Sequence, residues 1–275
     1  MSRQLPVSIT FSRYKLAAFL ACQRQFQLRY LQEYPWPPAP QDDLGREAGR
    51  RGQQFHRLLE RHFLGLAVDD PGAGDSLLRQ WWHTFRREQP LLPAGERLPE
   101  LTLTVPLKSH LLTGRFDLLV LGEENVHIYD WKTTRPRPEA DLRRDWQTRL
   151  YLALAVEGGS ALYPGAKTVA PHQVTLTYWF VQDPAESVTF RYDAATHEEN
   201  WAEIVALVAQ IDATLAQEEI WPLTDDLQIC ARCRYQVLCG RQEAVAALRQ
   251  EPQPQPTSED SDAAGPLPRL EPEMP

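Results

Sequence analysis

The sequence predicts an α/β fold, a mixed β-sheet flanked by helices, and three observations carry that prediction. Residues 11–88 place apolar groups at helical spacing, and residues 101–132 switch to the alternation of strands. Beyond residue 139, helical and strand patterns follow one another. Helices, three strands, a helix, a strand and a helix is the order expected of a sheet covered on its faces. A chain of 275 residues that is 43% hydrophobic can bury a substantial core. One domain is expected over residues 1–249, with an appended tail over 250–275.

Each element has its own signal. In "FSRYKLAAFLACQRQFQLRYLQ", residues 11–32, the groups Leu16, Phe19, Leu20, Phe26 and Tyr30 follow a helical period, and Thr10 or Ser12 is available as a cap. "EYPWPPAPQDD" cannot be helical, because its prolines lack amide donors. A second helix is expected over 46–65 and a third over 76–88, with Pro71, Gly72 and Gly74 marking the turn between them. "LTLTVPL", "LLTGRFDLLVLG" and "VHIYDWK" read as three successive strands. A helix over 139–157, a strand in "HQVTLTYWFV" and a helix over 195–219 complete the body. From Gln250 onward Pro, Glu and Ser dominate, so a disordered tail is expected.

No run approaches the roughly 18 consecutive apolar residues that span a bilayer. The opening "MSRQLPVSITFSRYK" also lacks the apolar stretch of a signal peptide. A soluble, cytoplasmic protein with no membrane partner is the expectation. The formal net charge of −8 is unevenly spread. Residues 251–275 hold six acids against Arg269 alone, whereas residues 1–66 hold ten Lys or Arg against five Asp or Glu. The basic N-terminal part is able to meet phosphates despite the acidic total.

The strand "VHIYDWK" places Asp130 and Lys132 on one face, and Tyr129 and Trp131 on the other. It is joined to the preceding strand by "GEEN", a common hairpin length. If Leu121 pairs with Val126, Asp130 comes opposite Asp117. Like charges so placed destabilise a sheet, and a divalent cation between them would reverse the sign. Lys132 would then stand beside the cation's water, where an ammonium can stabilise charge developing on a phosphoryl group. Gly52 and His56 lie one helical turn apart in "GQQFH". Neutral imidazole is a metal ligand, although a histidine at an apolar edge is more often a core residue. Gln147 and Tyr151, in "QTRLY", share one helical face.

Taken in order, "GQQFH", "GRFD", "DWK" and "QTRLY" resemble the motif set of RecB-like nuclease domains of the PD-(D/E)XK, restriction-endonuclease-like superfamily. The opening helix is similar to that family's as well, with Thr10 and Ser12 in place of its Ser-x-Ser and Gln23 in place of its proline. The resemblance spans roughly residues 8–241. It implies a restriction-endonuclease-like fold and a Mg²⁺- or Mn²⁺-dependent DNA nuclease, an exonuclease on single-stranded ends. It further implies metal ligation by His56, Asp117, Asp130 and the Trp131 carbonyl, with Asp117, Asp130 and Lys132 as catalytic residues. Gln147 and Tyr151 would position the DNA strand, and Glu100 is a further candidate acid. Protein partners of a DNA-repair or CRISPR-adaptation complex are implied too. A non-catalytic DNA- or partner-binding module on the same fold is the alternative.

The chain has four cysteines, Cys22 and the C-x2-C-x5-C cluster of Cys230, Cys233 and Cys239. In a cytosolic protein such a cluster favours a metal centre over disulfides, and either zinc or a [4Fe–4S] cluster takes four thiolates. The distant cysteine followed by C-x2-C-x5-C resembles the iron–sulfur staple of AddB-type and CRISPR-associated adaptation nucleases. That resemblance implies [4Fe–4S] with structural zinc as the alternative, joining the first helix to the C-terminal segment.

Overall fold

A computed structural model of the chain describes residues 8–35, 43–68, 71–72, 74–163, 165, 168–217 and 220–250. The expected tail over 251–275 and most of the proline-rich loop lie outside them. In chain order the elements are β1 (Thr10–Phe11), α1 (Arg13–Ala21), α2 (Gln23–Phe26), α3 (Asp43–Phe63), α4 (Ser76–Glu88), β2 (Glu96–Leu107), β3 (His110–Leu121) and β4 (Val126–Lys132). There follow α5 (Glu139–Arg144), α6 (Trp146–Glu157), α7 (Gly159–Leu162), β5 (Val174–Phe180), β6 (Val188–Arg191), α8 (Ala194–Gln217), α9 (Leu227–Arg232) and α10 (Gln242–Gln250). The described residues form two compact units, one of Ser8–Thr10 and those within Asp43–Ala206, the other of residues 11–35 and those from Leu207 to residue 250.

The first unit is a mixed sheet flanked by helices, as the patterning predicts. β2, β3 and β4 run antiparallel in turn, β5 lies parallel to β4, and β6 is antiparallel to β5. The hairpin register is the one read from loop length, with Leu121 opposite Val126 and Val120 opposite His127. β4 and β5 are parallel because the chain crosses between them through α5, α6 and α7, which a tight turn could not do.

One core lies between α3, α4 and the sheet. Phe55, Leu59, Trp81 and Phe85 pack on Leu118, Val120, Tyr129, Trp131 and Trp179. Phe63 stacks on Trp131 at 5.8 Å, and Phe85 meets Trp131 and Trp179 edge-on at 5.7 and 5.8 Å. Such pairs each add about 0.5–1.5 kcal/mol beyond burial. Tyr129 and Trp131 are therefore the apolar backing of the strand that carries Asp130 and Lys132. α6 is buried along most of its length, from Gln147 to Ala155, and packs so closely that a Cβ on Gly114 would stand 2.7 Å from Leu154 Cδ1.

Two of the expected helices are broken, each at a residue with a second role. The 11–32 helix opens at Cys22, whose backbone is extended (φ −162°, ψ 112°), and then widens into a π-turn over Gln27–Leu31. The break leaves the Arg24 amide without a helical acceptor, and it donates to Pro222 O at 3.0 Å. The 139–157 helix restarts at Trp146 because Asp145 caps it, accepting from Gln147 N at 3.0 Å. Periodicity misses such breaks, since the apolar spacing continues across them. It also misses β6, α9 and α10, which are short.

Candidate active site

In the sheet unit, the hairpin that positions the acids does not carry them as a simple opposed pair. The β3–β4 ladder ends at Leu118–Tyr129, one residue short of Asp117 and Asp130. At that point the Asp117 side chain takes over, and its Oδ2 accepts the Trp131 amide at 2.8 Å. Two carboxylates directly opposed would repel. Each has instead a cationic partner of its own: Asp117 Oδ1 lies 3.2 Å from His56 Nδ1, and Asp130 Oδ1 lies 2.6 Å from Lys132 Nζ.

His56, Glu100 and Asp117 form a cluster whose ligand atoms all lie within 4.8 Å of one another. It is the one such group among the described residues. Glu100 falls inside β2, not ahead of the first strand, and its backbone is left-handed (φ +52°). The flanking pairs Pro99–Leu118 and Leu101–Phe116 place Asp117 opposite it. A left-handed non-glycine inside a strand costs of order 1–3 kcal/mol and concentrates at functional sites. Here it brings a third ligand to the cluster while the same carboxylate pairs with Arg115. Strand alternation alone gives no sign of it; an acid opposite Asp117 in the β2–β3 hairpin register does.

The electrostatics are those of crowded carboxylates, each beside a positive group. Burial works against charging His56, but Asp117, Asp130 and Glu100 outweigh it and carry its pKa to about 9. Burial and the Asp117 charge push the Glu100 carboxyl up, against Arg115 and His56. For Asp117 burial pushes the same way, yet His56, the Trp131 amide and Lys132 hold it below the usual range. One imidazole with two carboxylates is a donor set that suits Mn²⁺ or Mg²⁺.

Lys132 and Asp130 form the other half of the site. Gln147 bridges them, donating to Asp130 Oδ2 and accepting from Lys132 Nζ at 2.9 Å. Gln147 can do so because the Asp145 cap, itself paired with Arg137 at 3.0 Å, starts α6 one residue before it. Lys132 Nζ also lies over the Tyr178 ring, 4.9 Å from its centre. Tyr151, one turn on, is buried and donates to Arg115 O at 2.5 Å. The two residues expected to hold DNA thus have polar groups bonded within the protein. Periodicity does not point to Asp145; an Asp directly before an apolar run is the available signal. Gly52 is a contact position, since a Cβ there would stand 3.2 Å from Thr133 Oγ1, next to Lys132.

In the other unit, Cys22, Cys230, Cys233 and Cys239 are all free thiols, and they line one pocket with Gln25, Thr224, Tyr235 and Arg241. The helix break at Cys22 and the end of α9 at Cys233 put both at pocket-facing termini. The Tyr235 amide donates to Cys233 Sγ at 3.4 Å. Burial pushes the Cys233 thiol up to about 11, and the neighbouring thiols add to it. Burial raises Cys230 and Cys239 as well, with Arg241 acting against the rise at both.

A profile of the PD-(D/E)XK nuclease superfamily matches residues 10–240, which include the four cysteines and the residues of the His56–Lys132 site. Among solved structures, the Eubacterium rectale protein named "Putative exonuclease" aligns over 90% of this chain and 91% of its own, with a TM-score of 0.51 and 11% identity. The protein SSO0001 aligns over 87% and 88%, with a TM-score of 0.39 and 12% identity. A search of curated proteins finds no match. No described helix is long and apolar enough to cross a membrane.

Proposed function

Because the chain belongs to the PD-(D/E)XK nuclease superfamily, we propose that it is a Mg²⁺- or Mn²⁺-dependent DNA nuclease, an exonuclease that works on single-stranded ends. The observation that carries this reading is the convergence of His56, Glu100 and Asp117 within 4.8 Å, beside an Asp130–Lys132 pair 2.6 Å apart. The preference for ends agrees with the name of the Eubacterium rectale protein, and the preference for single strands rests on the resemblance to RecB-like domains alone. His56, Glu100 and Asp117 would hold the cation, with Asp130 and the Trp131 carbonyl completing the set. A divalent cation held there lowers the pKa of water and neutralises phosphate charge.

The protein's own groups do the rest. Asp130 and Gln147 fix the Lys132 ammonium, which donates to the phosphoryl oxygens as negative charge builds on them. Water adds to phosphorus, one P–O ester bond breaks, and the proton that the water gives up balances the one the departing sugar oxygen takes. Gln147 acts as a positioning residue for Lys132 and for the DNA strand, and Tyr151 holds the β3 backbone at Arg115.

End-labelled single-stranded DNA incubated with Mn²⁺ tests the reading, with a chelator and Asp130→Ala as controls and circular single-stranded DNA as the check for end dependence. Metal-dependent release of short products from linear DNA is expected. No cleavage, or cleavage that survives Asp130→Ala, would point to a non-catalytic binding module.

Two further outcomes follow. Metal binding needs neutral His56, whose pKa is about 9 in the metal-free protein. Mn²⁺ affinity, measured by calorimetry, is therefore expected to rise about tenfold per pH unit between about pH 6.5 and 9 and then to level off. The sign reverses for the metal-free fold. A raised histidine pKa stabilises fully below its unfolded value near 6.5, and that contribution is lost as pH rises through about 9. Arg46, Arg50, Arg57 and Arg61 are exposed and fall on one face of α3, the helix that carries His56. Replacing Arg50 and Arg57 by Gln should weaken single-stranded DNA binding. The slope of log affinity against log salt should fall by about 0.7 for each phosphate that the variant no longer neutralises. The turnover rate at saturating DNA should stay the same.

For the cysteine pocket the proposal is a [4Fe–4S] cluster held by Cys22, Cys230, Cys233 and Cys239. All four cysteines line one pocket, and the C-x2-C-x5-C spacing with one distant member supports this reading, with structural zinc as the alternative.

A further inference from the structure

Two polar side chains in the cysteine pocket each have one buried atom without a partner. Gln25 is only 4% exposed, and its Oε1 is closed off from water with no hydrogen-bond partner. The Nε of Arg241 is closed off and unpartnered in the same way. Both residues line the pocket with the four cysteines. An orphaned buried polar group is costly, and a charged one more so. Both atoms belong to residues that line this one pocket.

The rest of the pocket shows what would satisfy them. Arg241 Nη2 donates to Thr224 O at 3.3 Å, which ties one end of the guanidinium to the wall and leaves Nε–H to spare. Arg241 stands two residues beyond Cys239 in the chain. Cys233 Sγ already accepts one amide, from Tyr235. No carboxylate lines the pocket among the described residues, so Arg241 has no acid there to neutralise it. The four cysteine sulfurs are acceptors gathered in this pocket, alongside the side chains of Thr224, Tyr235 and Gln236.

Resting on the reading of this pocket as an iron–sulfur site, we propose that Arg241 and Gln25 are positioning residues for the cluster, donating N–H hydrogen bonds to its sulfurs. Arg241 acts through Nε–H and its charge. Gln25 acts through its amide, which half a turn about its last bond brings into place of Oε1. A cluster with four thiolates carries net negative charge that grows by one on reduction. A cation beside the cluster, together with N–H donors, favours the more negative form and so raises the reduction potential. Arg241 therefore sets the redox poise of the centre and slows its oxidative loss.

The test uses the full chain purified without oxygen, with iron and sulfide content measured and the midpoint potential followed by EPR titration. Arg241→Gln is expected to retain the cluster and lower its potential. A tenfold change in the oxidised-to-reduced ratio at fixed applied potential would appear as about 59 mV for a one-electron couple. Arg241→Lys should fall between, keeping the charge but losing the planar donor. Gln25→Leu should move the potential the same way by less. Deuterium exchange of the wild-type protein should also alter the iron–sulfur vibrations, a readout that needs no variant to fold. If the wild type holds no iron and sulfide, the cluster reading fails. If it holds them, unchanged potentials in Arg241→Gln and Arg241→Lys, or no exchangeable proton at the cluster, overturn this proposal alone.

Discussion

Replacing Lys132 by methionine is expected to slow metal-dependent cleavage of single-stranded DNA by about 10²–10³-fold, with Mn²⁺ affinity within about threefold of the wild type. The ammonium sits 2.6 Å from Asp130 and 2.9 Å from Gln147, with 23% of its side chain still exposed, so it is both held and reachable. The same change takes the cation away from the Asp130 carboxylate, only 4% exposed, while Gln147 still donates to it. Removing one partner of a buried pair costs about 3–5 kcal/mol, and the exposed lysine places this case at the low end. A fall in Tm of several degrees should accompany the loss of activity, at about 2–4 °C per kcal/mol for a domain of this size. Lys132→Arg separates the two effects. It should recover stability but not the rate, because a guanidinium fork cannot occupy the place of a compact ammonium. Full activity in Lys132→Met would remove lysine from the chemistry.

Cys22→Ala carries the second large effect. The anaerobically purified variant is expected to lack visible iron–sulfur absorbance and to melt well below the wild type. Structural metal centres contribute on the order of 10 kcal/mol to small folds, and loss of one ligand in four forfeits a large part of that. Burial is not the cause, since an alanine fills most of a buried cysteine's space. Cys22→Ser serves as the near-isosteric control and should behave the same way. Unchanged absorbance and Tm in the alanine variant would mean that Cys22 is an ordinary buried residue at a helix break.

Much of this is legible in the residues themselves. The alternation in "VHIYDWK" places Tyr129 and Trp131 together, and the core between α3, α4 and the sheet buries both. The "GEEN" loop length fixes the β3–β4 register, because a four-residue hairpin joins Leu121 to Val126. The C-x2-C-x5-C spacing, with one distant cysteine, leads to a single pocket that all four line. The hairpin and the cysteine triad depend on short-range geometry, which periodicity and spacing encode.

Other features needed the tertiary structure. Glu100 joins the cluster through a left-handed backbone, and nothing local in "LPELTL" demands that conformation. Asp117 and Asp130 part company because repulsion between neighbouring carboxylates is settled by what packs around them: His56 from α3 in one case, Lys132 with Gln147 from α6 in the other. The helix breaks at Cys22 and Asp145 continue an apolar period and so leave no trace in it. Chain order sets which residue types stand at which steps along each strand and helix. Which charges meet is settled by packing, because the electrostatic energy of a buried acid depends on every group packed around it and not on its neighbours in the chain.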